Sequence, residues 1–491
     1  MGVEINKSRI ISSLFWKFME RGGSQAISFL ISIALARLLM PEDYGTIALV
    51  TVFTSIAALF VESGFGTALI QKKEVDEVDY SSVFFVNLSI SLLLYAVLFL
   101  MAPSISRFYK IPEITPIIRV LSVTLIFGAL NAVQNAIISR TLQFKLLFVR
   151  STGALVISGT VGIALAYAGF GVWALVWQSI ANRFFITAIL WFTLRWRPHF
   201  QFSTDRVKEH FSFGWKVLAA SLLTTGYREA RSLIIGKMYQ PATLGYYNRG
   251  SKFPSLIVSN IDGSIQAVMF PVLASQQDNR SKVKSMMRRS ITSSSFIVFP
   301  LMVGLAVISE PLVLLLMTEK WLPAVPYIRI FCASYALYPI HSANLEAIKG
   351  LGYSGTYLRL NVIRRIIGIL ILIITAFWGP YAIALGQVLN GIIASFVNAH
   401  PNKKLLLYGY KEQITDILPS LILSIVMGSA IFCLRWVGLA ALPTMVLQIL
   451  FGLALYVVLA KILGLESYRY LVSAAKDFFK RKSMGHTNEK N

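Results

Sequence analysis

The chain is a succession of long apolar segments separated by short polar stretches. A helix that crosses about 30 Å of hydrocarbon needs about 20 mostly apolar residues, and fourteen segments of the sequence come close to or reach that length. The pattern predicts an all-α integral membrane protein with about fourteen transmembrane helices. The predicted segments are 14–39, 44–69, 80–102, 116–138, 150–168, 172–194, 213–238, 243–271, 290–316, 326–348, 358–378, 381–400, 416–436 and 440–463.

A short motif recurs after 200 residues and indicates that the chain has two similar halves. Residues 36–45 read ARLLMPEDYG, and residues 236–245 read GKMYQPATLG. Proline disfavours helix at the residue before it, and glycine permits a tight reversal. We therefore predict a helical hairpin at each copy, joining the first two helices of each half. The residues that correspond are Arg37, Pro41 and Gly45 in the first copy and Lys237, Pro241 and Gly245 in the second.

The repeat predicts a domain organisation of two pseudo-symmetric six-helix lobes followed by two extra helices. The lobes are expected at about residues 1–200 and 201–400, with a cytoplasmic linker at about 195–212. Residues 401–465 contain the last two helices, and residues 466–491 form a basic tail.

The composition agrees with a membrane protein. Hydrophobic residues make up 56% of the chain and charged residues only 14%, whereas soluble domains have about 25% charged residues. The net charge of +23 would suggest nucleic-acid binding in a soluble protein. In a membrane protein, basic cytoplasmic loops that face anionic lipid explain this charge. We expect membrane lipids as partners and no nucleic acid.

The distribution of Lys and Arg predicts the orientation in the membrane. With the N-terminus inside, one set of loops contains nearly all of the basic residues, as cytoplasmic loops do. We expect a multi-pass protein of the cell inner membrane with both termini in the cytoplasm. The first apolar stretch contains Glu20 and Arg21 and is followed by no small-residue cleavage site, so we expect it to remain as a helix.

No motif of the sequence predicts catalysis, a metal or a cofactor. The five histidines are scattered, Cys332 and Cys433 lie far apart, and there is no Walker A motif. Residues 350–355 match G-x-G-x-x-G but follow an apolar helix and not a strand, so we interpret them as a cytoplasmic turn. The predicted outer loops are short, which argues against an enzyme that polymerises glycans at the outer face. We expect no enzymatic activity.

The candidate functional residues are ionisable side chains inside predicted membrane helices. Such residues are costly in lipid and usually face a cavity or pair with one another. Basic groups in the wall of a cavity would bind an anion such as a phosphate. The substrate-binding candidates are Lys17, Arg21, Lys216, Arg228, Arg231 and Arg249, and the candidates for ion coupling are Glu20, Glu62, Glu229 and Asp262.

Other interpretations of these residues stay open at this point. Lys17 can extend to the cytoplasmic interface, and Arg249 can lie near the outer end of its helix. Glu62 and Asp262 can lie near the inner interface instead of coupling transport to an ion. Arg228 and Arg231 can form a structural pair with Glu229 instead of lining a cavity.

Several stretches resemble a known group of transporters. These are ARLLMPEDYG at 36–45, ESGFGTALIQ at 62–71, FPVLA at 270–274 and EKWLPA at 319–324. Together with the two halves of six helices, they are similar to the polysaccharide transporter branch of the multidrug/oligosaccharidyl-lipid/polysaccharide exporter superfamily. The similarity is strongest to the Wzx-type members of the colanic-acid-like group.

The resemblance implies a flippase for undecaprenyl-diphosphate-linked oligosaccharide repeat units in the biosynthesis of surface polysaccharide. It implies alternating access around a cavity lined by helices one, two, seven and eight, and a polysaccharide polymerase and glycosyltransferases as partners. It also implies that cavity cations meet the diphosphate, and Lys17, Arg21, Lys216, Arg228 and Arg231 match by their helix placement. The alternatives are a multidrug antiporter of the same superfamily, a membrane glycosyltransferase or polymerase, and a peptidoglycan-precursor flippase.

Overall fold

A computed structural model describes the backbone of residues 7–62, 64–141, 143–473 and 476–477. The side chains of residues 7–15, 17–21, 144, 264, 267 and 268 lie outside this description. The described part contains seventeen α-helices and no strand. It divides into two compact units, Met1–Gly245 and Tyr246–Asn491. The boundary that the sequence predicts between its two lobes, near residue 200, stays a prediction.

The first unit contains nine complete helices and the first turn of a tenth. Helix α7 packs against both α1 and α8, α4 packs against α5 and α6, and α9 packs against α2, α3 and α4. The helices are α1 (Lys7–Leu38), α2 (Pro41–Glu62), α3 (Phe65–Gln71), α4 (Glu77–Tyr109), α5 (Ile114–Leu121), α6 (Thr124–Thr141), α7 (Phe144–Tyr167), α8 (Val172–Thr193) and α9 (Thr204–Met238).

The second unit contains the rest of α10 and seven further helices. Helix α11 lies at its centre and packs against α12, α13, α16 and α17. The helices are α10 (Pro241–Ala274), α11 (Arg280–Met317), α12 (Val325–Ala336), α13 (Tyr338–Gly350), α14 (Ser354–Ala376), α15 (Pro380–Leu405), α16 (Tyr410–Cys433) and α17 (Ala441–Ile462).

Each of the fourteen predicted segments corresponds to one helix or to two consecutive helices. Nine stretches in the described part of the chain are long and apolar enough to cross a membrane. The other five predicted segments are α1, α9, α10, the pair α12 and α13, and α14, and most of them contain several charged residues. The all-α membrane fold predicted from the sequence is confirmed.

Three predicted segments are interrupted in the structure. The segment 44–69 breaks between α2 and α3, 116–138 breaks between α5 and α6, and 326–348 breaks at Leu337 between α12 and α13. A window of 20 apolar residues gives the same hydropathy signal whether it is one helix or two. The candidate dinucleotide motif is a turn, as predicted, because α13 ends at Gly350 and α14 begins at Ser354.

Large apolar side chains cover the outside of many helices. Leu100 on α4, Phe192 on α8 and Ile462 on α17 are all more than 70% exposed. Exposed apolar area of this kind is unfavourable in water by about 25 cal/mol per Å², but it matches the hydrocarbon of a bilayer. This surface agrees with a multi-pass membrane protein.

The two predicted hairpins are present, and their first helical turns touch within the first unit. Helix α1 ends at Leu38 just before α2, and α9 ends at Met238 just before α10. A Cβ atom built on Gly45 would lie 1.8 Å from the carbonyl oxygen of Pro241. A Cβ atom on Gly245 would lie 2.2 Å from the carbonyl oxygen of Pro41. Glycine is required at both positions because the two backbones approach so closely.

A polar network joins the start of α9 to the start of α4. The buried carboxylate of Asp79 accepts hydrogen bonds from Lys72 Nζ at 3.1 Å and pairs with His210 Nε2 at 3.0 Å. Lys72 also donates to Glu209 at 2.8 Å, and Arg206 donates to Asp76 at 3.0 Å. Partial burial alone would lower the pKa of Lys72, but its hydrogen bonds to Glu209 and Asp79 raise that pKa above its usual value. These bonds fix α9 to the first unit.

The segment between α8 and α9 is fixed to α4 as well. The backbone N–H groups of His199 and Ser203 donate to the hydroxyls of Ser81 and Ser82, at 3.1 and 2.9 Å. Trp196 Nε1 donates to Glu77 at 2.8 Å. The non-helical part spans residues 194–203, so the second part of the predicted linker already belongs to α9.

Buried amides connect three helices of the second unit. Asn344 on α13 donates to the side chain of Gln413 on α16 at 2.9 Å and accepts from Asn402 on α15 at 2.8 Å. Beside this group, Tyr408 donates to Asp416 at 2.7 Å. Burial and this hydrogen bond raise the pKa of Tyr408 above its usual value, so its hydroxyl stays protonated. The hydrogen bonds among these three amides lower the cost of their burial.

Candidate functional site

Helix α9 touches the turn between α2 and α3 at one level and α2 itself at another. Near one end, a Cβ atom on Gly214 would lie 2.9 Å from the backbone of Gly64. Near the other end, a Cβ atom on Gly236 would lie 2.0 Å from the side chain of Leu49. At a rise of 1.5 Å per residue, these two contacts on α9 are about 33 Å apart. The glycines thus allow close contact at two levels, with room for larger side chains between them.

A cleft of about 530 Å³ lies between these two contacts. Its walls include Leu59 of α2 and Lys216, Ser221, Thr224 and Thr225 of α9. The volume falls in the range of about 300–1,000 Å³ that is usual for small-molecule sites. One ammonium group and three hydroxyls therefore line this cleft.

The chemistry of the cleft suits an oxyanion. No described carboxylate lies within ion-pair distance of Lys216, so its three donors are available to a ligand. Thr224, which also lines the cleft, donates to the carbonyl of Ala220 at 2.8 Å. Within the described part of the chain, no group of three or more His, Cys, Asp or Glu residues could hold a metal ion.

Two further arginines lie on α9 beyond the cleft. Arg231 donates to the hydroxyl of Tyr227 at 2.9 Å, and its guanidinium lies 4.8 Å from the centre of that ring. Arg228 pairs with Glu229 at 2.9 Å, and its side chain is 66% exposed. With 3.6 residues per turn, Lys216, Tyr227 and Arg231 lie on one stripe of α9, and Arg228 lies beside that stripe.

Glu62 forms an ion pair that the sequence analysis missed. Its carboxylate lies 3.2 Å from the guanidinium of Arg183 on α8, and both side chains are about 40% exposed. Arg183 is the only charged residue of α8. A single charge in an apolar helix is a recognisable signal, so this arginine could have been found from the sequence.

The described residues that line the cleft do not include Arg249 or Asp262. Arg249 and Asp262 belong to the second unit, where the guanidinium of Arg249 lies 5.6 Å from the ring centre of Trp321. Asp262 accepts a hydrogen bond from Gln266 at 2.7 Å. The side chains of Lys17, Glu20 and Arg21 lie outside the described residues.

Comparison with known proteins defines the family. A family described as "Polysaccharide biosynthesis protein" matches residues 34–326, which is more than half of the 491 residues. The chain belongs to this family. The resemblance to polysaccharide transporters that the sequence motifs predicted is confirmed.

Two curated relatives match this polysaccharide biosynthesis protein over most of their length. The succinoglycan biosynthesis transport protein ExoT of Rhizobium meliloti (strain 1021) is 22% identical over 486 residues, 96% of each chain. The lipopolysaccharide biosynthesis protein WzxC of Escherichia coli (strain K12) is 21% identical over 440 residues, 86% of this chain and 88% of the relative.

Solved transporter structures share the fold of this family member. The lipid II flippase MurJ in an inward closed conformation superposes with a TM-score of 0.75 and 16% identity, covering 94% of this chain and 100% of MurJ. An inward-facing multidrug resistance transporter of the MATE family gives a TM-score of 0.58 at 16% identity, covering 79% of this chain and 95% of that structure. At these identities the likeness establishes the fold and not the substrate.

Proposed function

We propose that this protein is a flippase that moves undecaprenyl-diphosphate-linked oligosaccharide repeat units from the cytoplasmic to the periplasmic leaflet. The product would serve the biosynthesis of a surface polysaccharide such as O-antigen, exopolysaccharide or capsule. The family and the names of the relatives support this class of substrate. A polar head group cannot cross hydrocarbon unless it is shielded. A transporter of this fold provides that shielding.

The observation that supports the proposal most directly is the cleft beside Lys216. It places a cation and three hydroxyls of α9 beside Leu59 of α2, where an anionic head group would be bound while its lipid tail stays in the bilayer. Charge-assisted hydrogen bonds from an ammonium to phosphate oxygens are about twice as strong as neutral ones. A diphosphate is the part of the proposed substrate that fits this cleft.

The same cleft argues against the multidrug antiporter as the alternative. Among the described residues that line the cleft, the charged one is Lys216, which is basic. A basic wall repels the cationic drugs that such a transporter would bind. Export of a lipophilic cationic dye by reconstituted protein, without movement of a lipid-linked oligosaccharide, would favour the antiporter and contradict our proposal.

Replacing Lys216 with alanine is expected to weaken binding of undecaprenyl diphosphate by about 10-fold to 100-fold. The change removes a hydrogen bond from a charged group, worth about 1.5–3 kcal/mol, and each 1.4 kcal/mol corresponds to about a tenfold change in Kd. Binding would be measured with the purified full-length protein in lipid nanodiscs. Undecaprenol, which has no phosphate, serves as the reference ligand.

Lys208→Ala is the matched control for this experiment. Lys208 is an exposed lysine on the same helix, about two turns nearer its start, and its loss should leave the Kd unchanged. Lys216→Arg keeps the charge and should retain most of the affinity. Equal binding of undecaprenyl diphosphate by the Lys216→Ala variant and the unchanged protein would show that the cleft is not the diphosphate site.

We further propose that transport proceeds by alternating access, with both termini in the cytoplasm and with glycosyltransferases and a polymerase as working partners. A fluorescent lipid-linked oligosaccharide in proteoliposomes would test translocation, because a membrane-impermeant quencher removes the signal of the outer leaflet alone. Quenching that rises with time only in protein-containing vesicles is the expected result.

Reporter fusions at the two ends of the chain would test the orientation.

A further inference from the structure

A cavity of about 360 Å³ lies at the turn between α10 and α11 in the second unit. Its volume is within the range of about 300–1,000 Å³ that is usual for ligand sites. Most of the described residues that line it are exposed, so the cavity is open at the surface of the unit, and none of them is acidic. They are Val272 of α10, Ser275 and Gln276 of the turn, and Lys282, Ser285 and Met286 of α11.

Three polar side chains of this cavity have unused hydrogen-bond donors. The Lys282 ammonium, the Ser285 hydroxyl and the Gln276 amide form no hydrogen bond or ion pair with a residue in the described ranges. The hydroxyl of Ser275 differs, because it donates to the carbonyl of Val272 at 2.9 Å. An ammonium has three N–H donors, a primary amide has two, and a hydroxyl has one O–H. The cavity therefore offers a cation and several free donors, which suit an oxyanion.

Lys282 differs from the other cations in the first part of α11. Residues 280–289 contain five basic residues and no acidic one. Residues two apart do not share a face of a helix, so Lys282 lies on a different face from Lys284. Among the described residues, the other four cations all have partners in the second unit. Arg280 donates to the carbonyl of Leu405 at 3.0 Å, Lys284 pairs with Glu412 at 2.8 Å, Arg288 pairs with Asp416 at 2.9 Å, and Arg289 lies 4.7 Å from the ring centre of Tyr470.

The cavity lies at the predicted edge of the hydrocarbon. The predicted apolar segment of α10 ends at residue 271, and that of α11 begins at residue 290. Val272 is one residue beyond the first segment, whereas Lys282 is eight residues before the second, about 12 Å along the helix. The headgroup layer adds about 5–8 Å on each side of the hydrocarbon, and the long stem of a lysine can bring its ammonium back to that layer. The apolar and basic parts of the lining thus match the two parts of an amphiphile.

Charge and polarity favour an anionic phospholipid over other phosphate compounds. A free phosphate ion would use the donors but would leave the apolar surface of Val272 and Met286 without a partner. A zwitterionic lipid would bring its own ammonium close to Lys282 and the neighbouring cations, which is unfavourable. The sequence predicts that this turn faces the cytoplasm, where basic residues attract anionic lipid. Phosphatidylglycerol combines a negative phosphate with glycerol hydroxyls, which match a lysine beside an amide and a hydroxyl.

We propose that the cavity between α10 and α11 binds the head group of an anionic phospholipid such as phosphatidylglycerol. The phosphate oxygens accept hydrogen bonds from Lys282, and the glycerol hydroxyls bond to Gln276 and Ser285. The first carbons of an acyl chain contact Val272 and Met286. This site does not depend on the proposed transport, because it lies in the second unit, whereas the cleft beside Lys216 lies in the first.

Photo-crosslinking in lipid nanodiscs would test the site. The purified full-length protein is placed in phosphatidylcholine with a trace of phosphatidylglycerol that carries a diazirine near the start of one acyl chain. Mass spectrometry then measures the lipid attached to residues 272–286. Lys282→Ala should reduce this attachment about tenfold, because a hydrogen bond from a charged group is lost. Lys282→Arg keeps the charge and should retain most of it.

Lys404→Ala is the matched control. Lys404 is an exposed lysine of the second unit, in the last turn of α15, and is not among the described residues that line the cavity. Its loss should leave the attachment unchanged. Ser285→Leu keeps every charge but fills part of the cavity, and it should reduce the attachment as Lys282→Ala does. Lys282 and Ser285 are both exposed, so neither substitution disturbs the core of the unit.

Three outcomes would contradict the proposal. One is equal attachment to residues 272–286 in Lys282→Ala and the unchanged protein. Another is displacement of the labelled lipid by added phosphatidylcholine as effectively as by unlabelled phosphatidylglycerol, which indicates a general lipid contact. The third is displacement by inorganic phosphate or by undecaprenyl diphosphate at concentrations below that needed of phosphatidylglycerol, which assigns the cavity to a free anion or to the transport substrate.

The lipid site and the proposed function can fail separately. Lys216→Ala should leave the attachment of phosphatidylglycerol unchanged, and Lys282→Ala should leave the Kd for undecaprenyl diphosphate unchanged. If the attachment depends on Lys282 but no lipid-linked oligosaccharide moves in proteoliposomes, the proposed function fails and the lipid site stands. If oligosaccharide moves but the attachment does not depend on Lys282, the lipid site fails and the proposed function stands.

Discussion

Replacing Gly45 with alanine is expected to separate the two helical hairpins and to reduce transport about tenfold. The new methyl group would lie 1.8 Å from the carbonyl oxygen of Pro241 and 2.4 Å from its carbonyl carbon. Both atoms belong to the backbone and cannot rotate away. Normal contact distance requires the first turns of α2 and α10 to move apart by about 1.5 Å, and overpacking of this kind costs about 1–3 kcal/mol.

The expected separation can be measured by the reactivity of a cysteine at position 46. Thr46 is only 5% exposed in the structure, so Thr46→Cys should be labelled slowly by a water-soluble maleimide. The background would have Cys332→Ser and Cys433→Ser, which remove the two native cysteines. Adding Gly45→Ala should accelerate the labelling about tenfold or more, because 1.4 kcal/mol changes a population about tenfold.

Gly66→Ala provides the matched control. Gly66 lies within α3, and a Cβ atom there has no neighbour within 4 Å, so labelling and transport should both stay unchanged. Gly245→Ala should reproduce the effect of Gly45→Ala because it affects the same contact. In the double variant, the effects of the two substitutions on labelling and transport should then be less than additive. Unaltered labelling and transport in Gly45→Ala would mean that the close contact has no role in the cycle.

The hairpins were predictable because their signal is local. Proline and glycine act on the residues next to them, and the same spacing occurs at Pro41 and Gly45 and at Pro241 and Gly245. The reciprocal contact between the two copies was not predictable, since residues 200 positions apart meet only through the tertiary fold. The break between α5 and α6 contains no glycine or proline and has no local signal in the sequence. The break at Leu337 has one, because Pro339 lies in the first turn of α13.

The candidate site was predictable in part for the same reason. Lys216 is a charged residue inside an apolar stretch. Because a charge is costly in lipid, the sequence alone identifies Lys216 as a candidate functional residue. The surrounding hydroxyls of Ser221, Thr224 and Thr225 are unremarkable in a sequence, because their role depends on the neighbouring helix α2. The pairing of Asp79 with His210 spans 131 positions and depends on how α9 packs against α4.

Replacing Arg140 with alanine is expected to destabilise the first unit by about 3 kcal/mol. The guanidinium of Arg140, at the end of α6, donates to the carbonyl oxygens of Leu69, Ile70, Lys72 and Lys73. The carbonyls of Leu69 and Ile70 belong to the last turn of α3, where no intrahelical donor remains for them, and those of Lys72 and Lys73 follow that helix. A hydrogen bond from a charged group contributes about 1.5–3 kcal/mol, and alanine removes all four of them.

Thermal unfolding followed by tryptophan fluorescence would measure this effect. With about 2–4 °C per kcal/mol for a unit of this size, the apparent Tm of Arg140→Ala should fall by about 6–12 °C. Arg195→Ala, at an exposed arginine just after α8, should change it by less than about 2 °C. The apparent Tm of Arg140→Lys should lie between those of Arg140→Ala and the unchanged protein. An ammonium is a point donor and cannot span four carbonyls as a guanidinium does.

Arg140→Ala should also reduce transport, although Arg140 does not line the cleft. The turn that it stabilises presents Lys72 to Asp79 and Glu209, and these contacts fix the start of α9 beside α4. A loosened turn therefore releases the helix on which Lys216 lies, while leaving the chemistry of the cleft intact. We expect slower translocation with a nearly unchanged Kd for undecaprenyl diphosphate, the reverse of the pattern expected for Lys216→Ala. An equal loss of affinity in both variants would contradict this separation of roles.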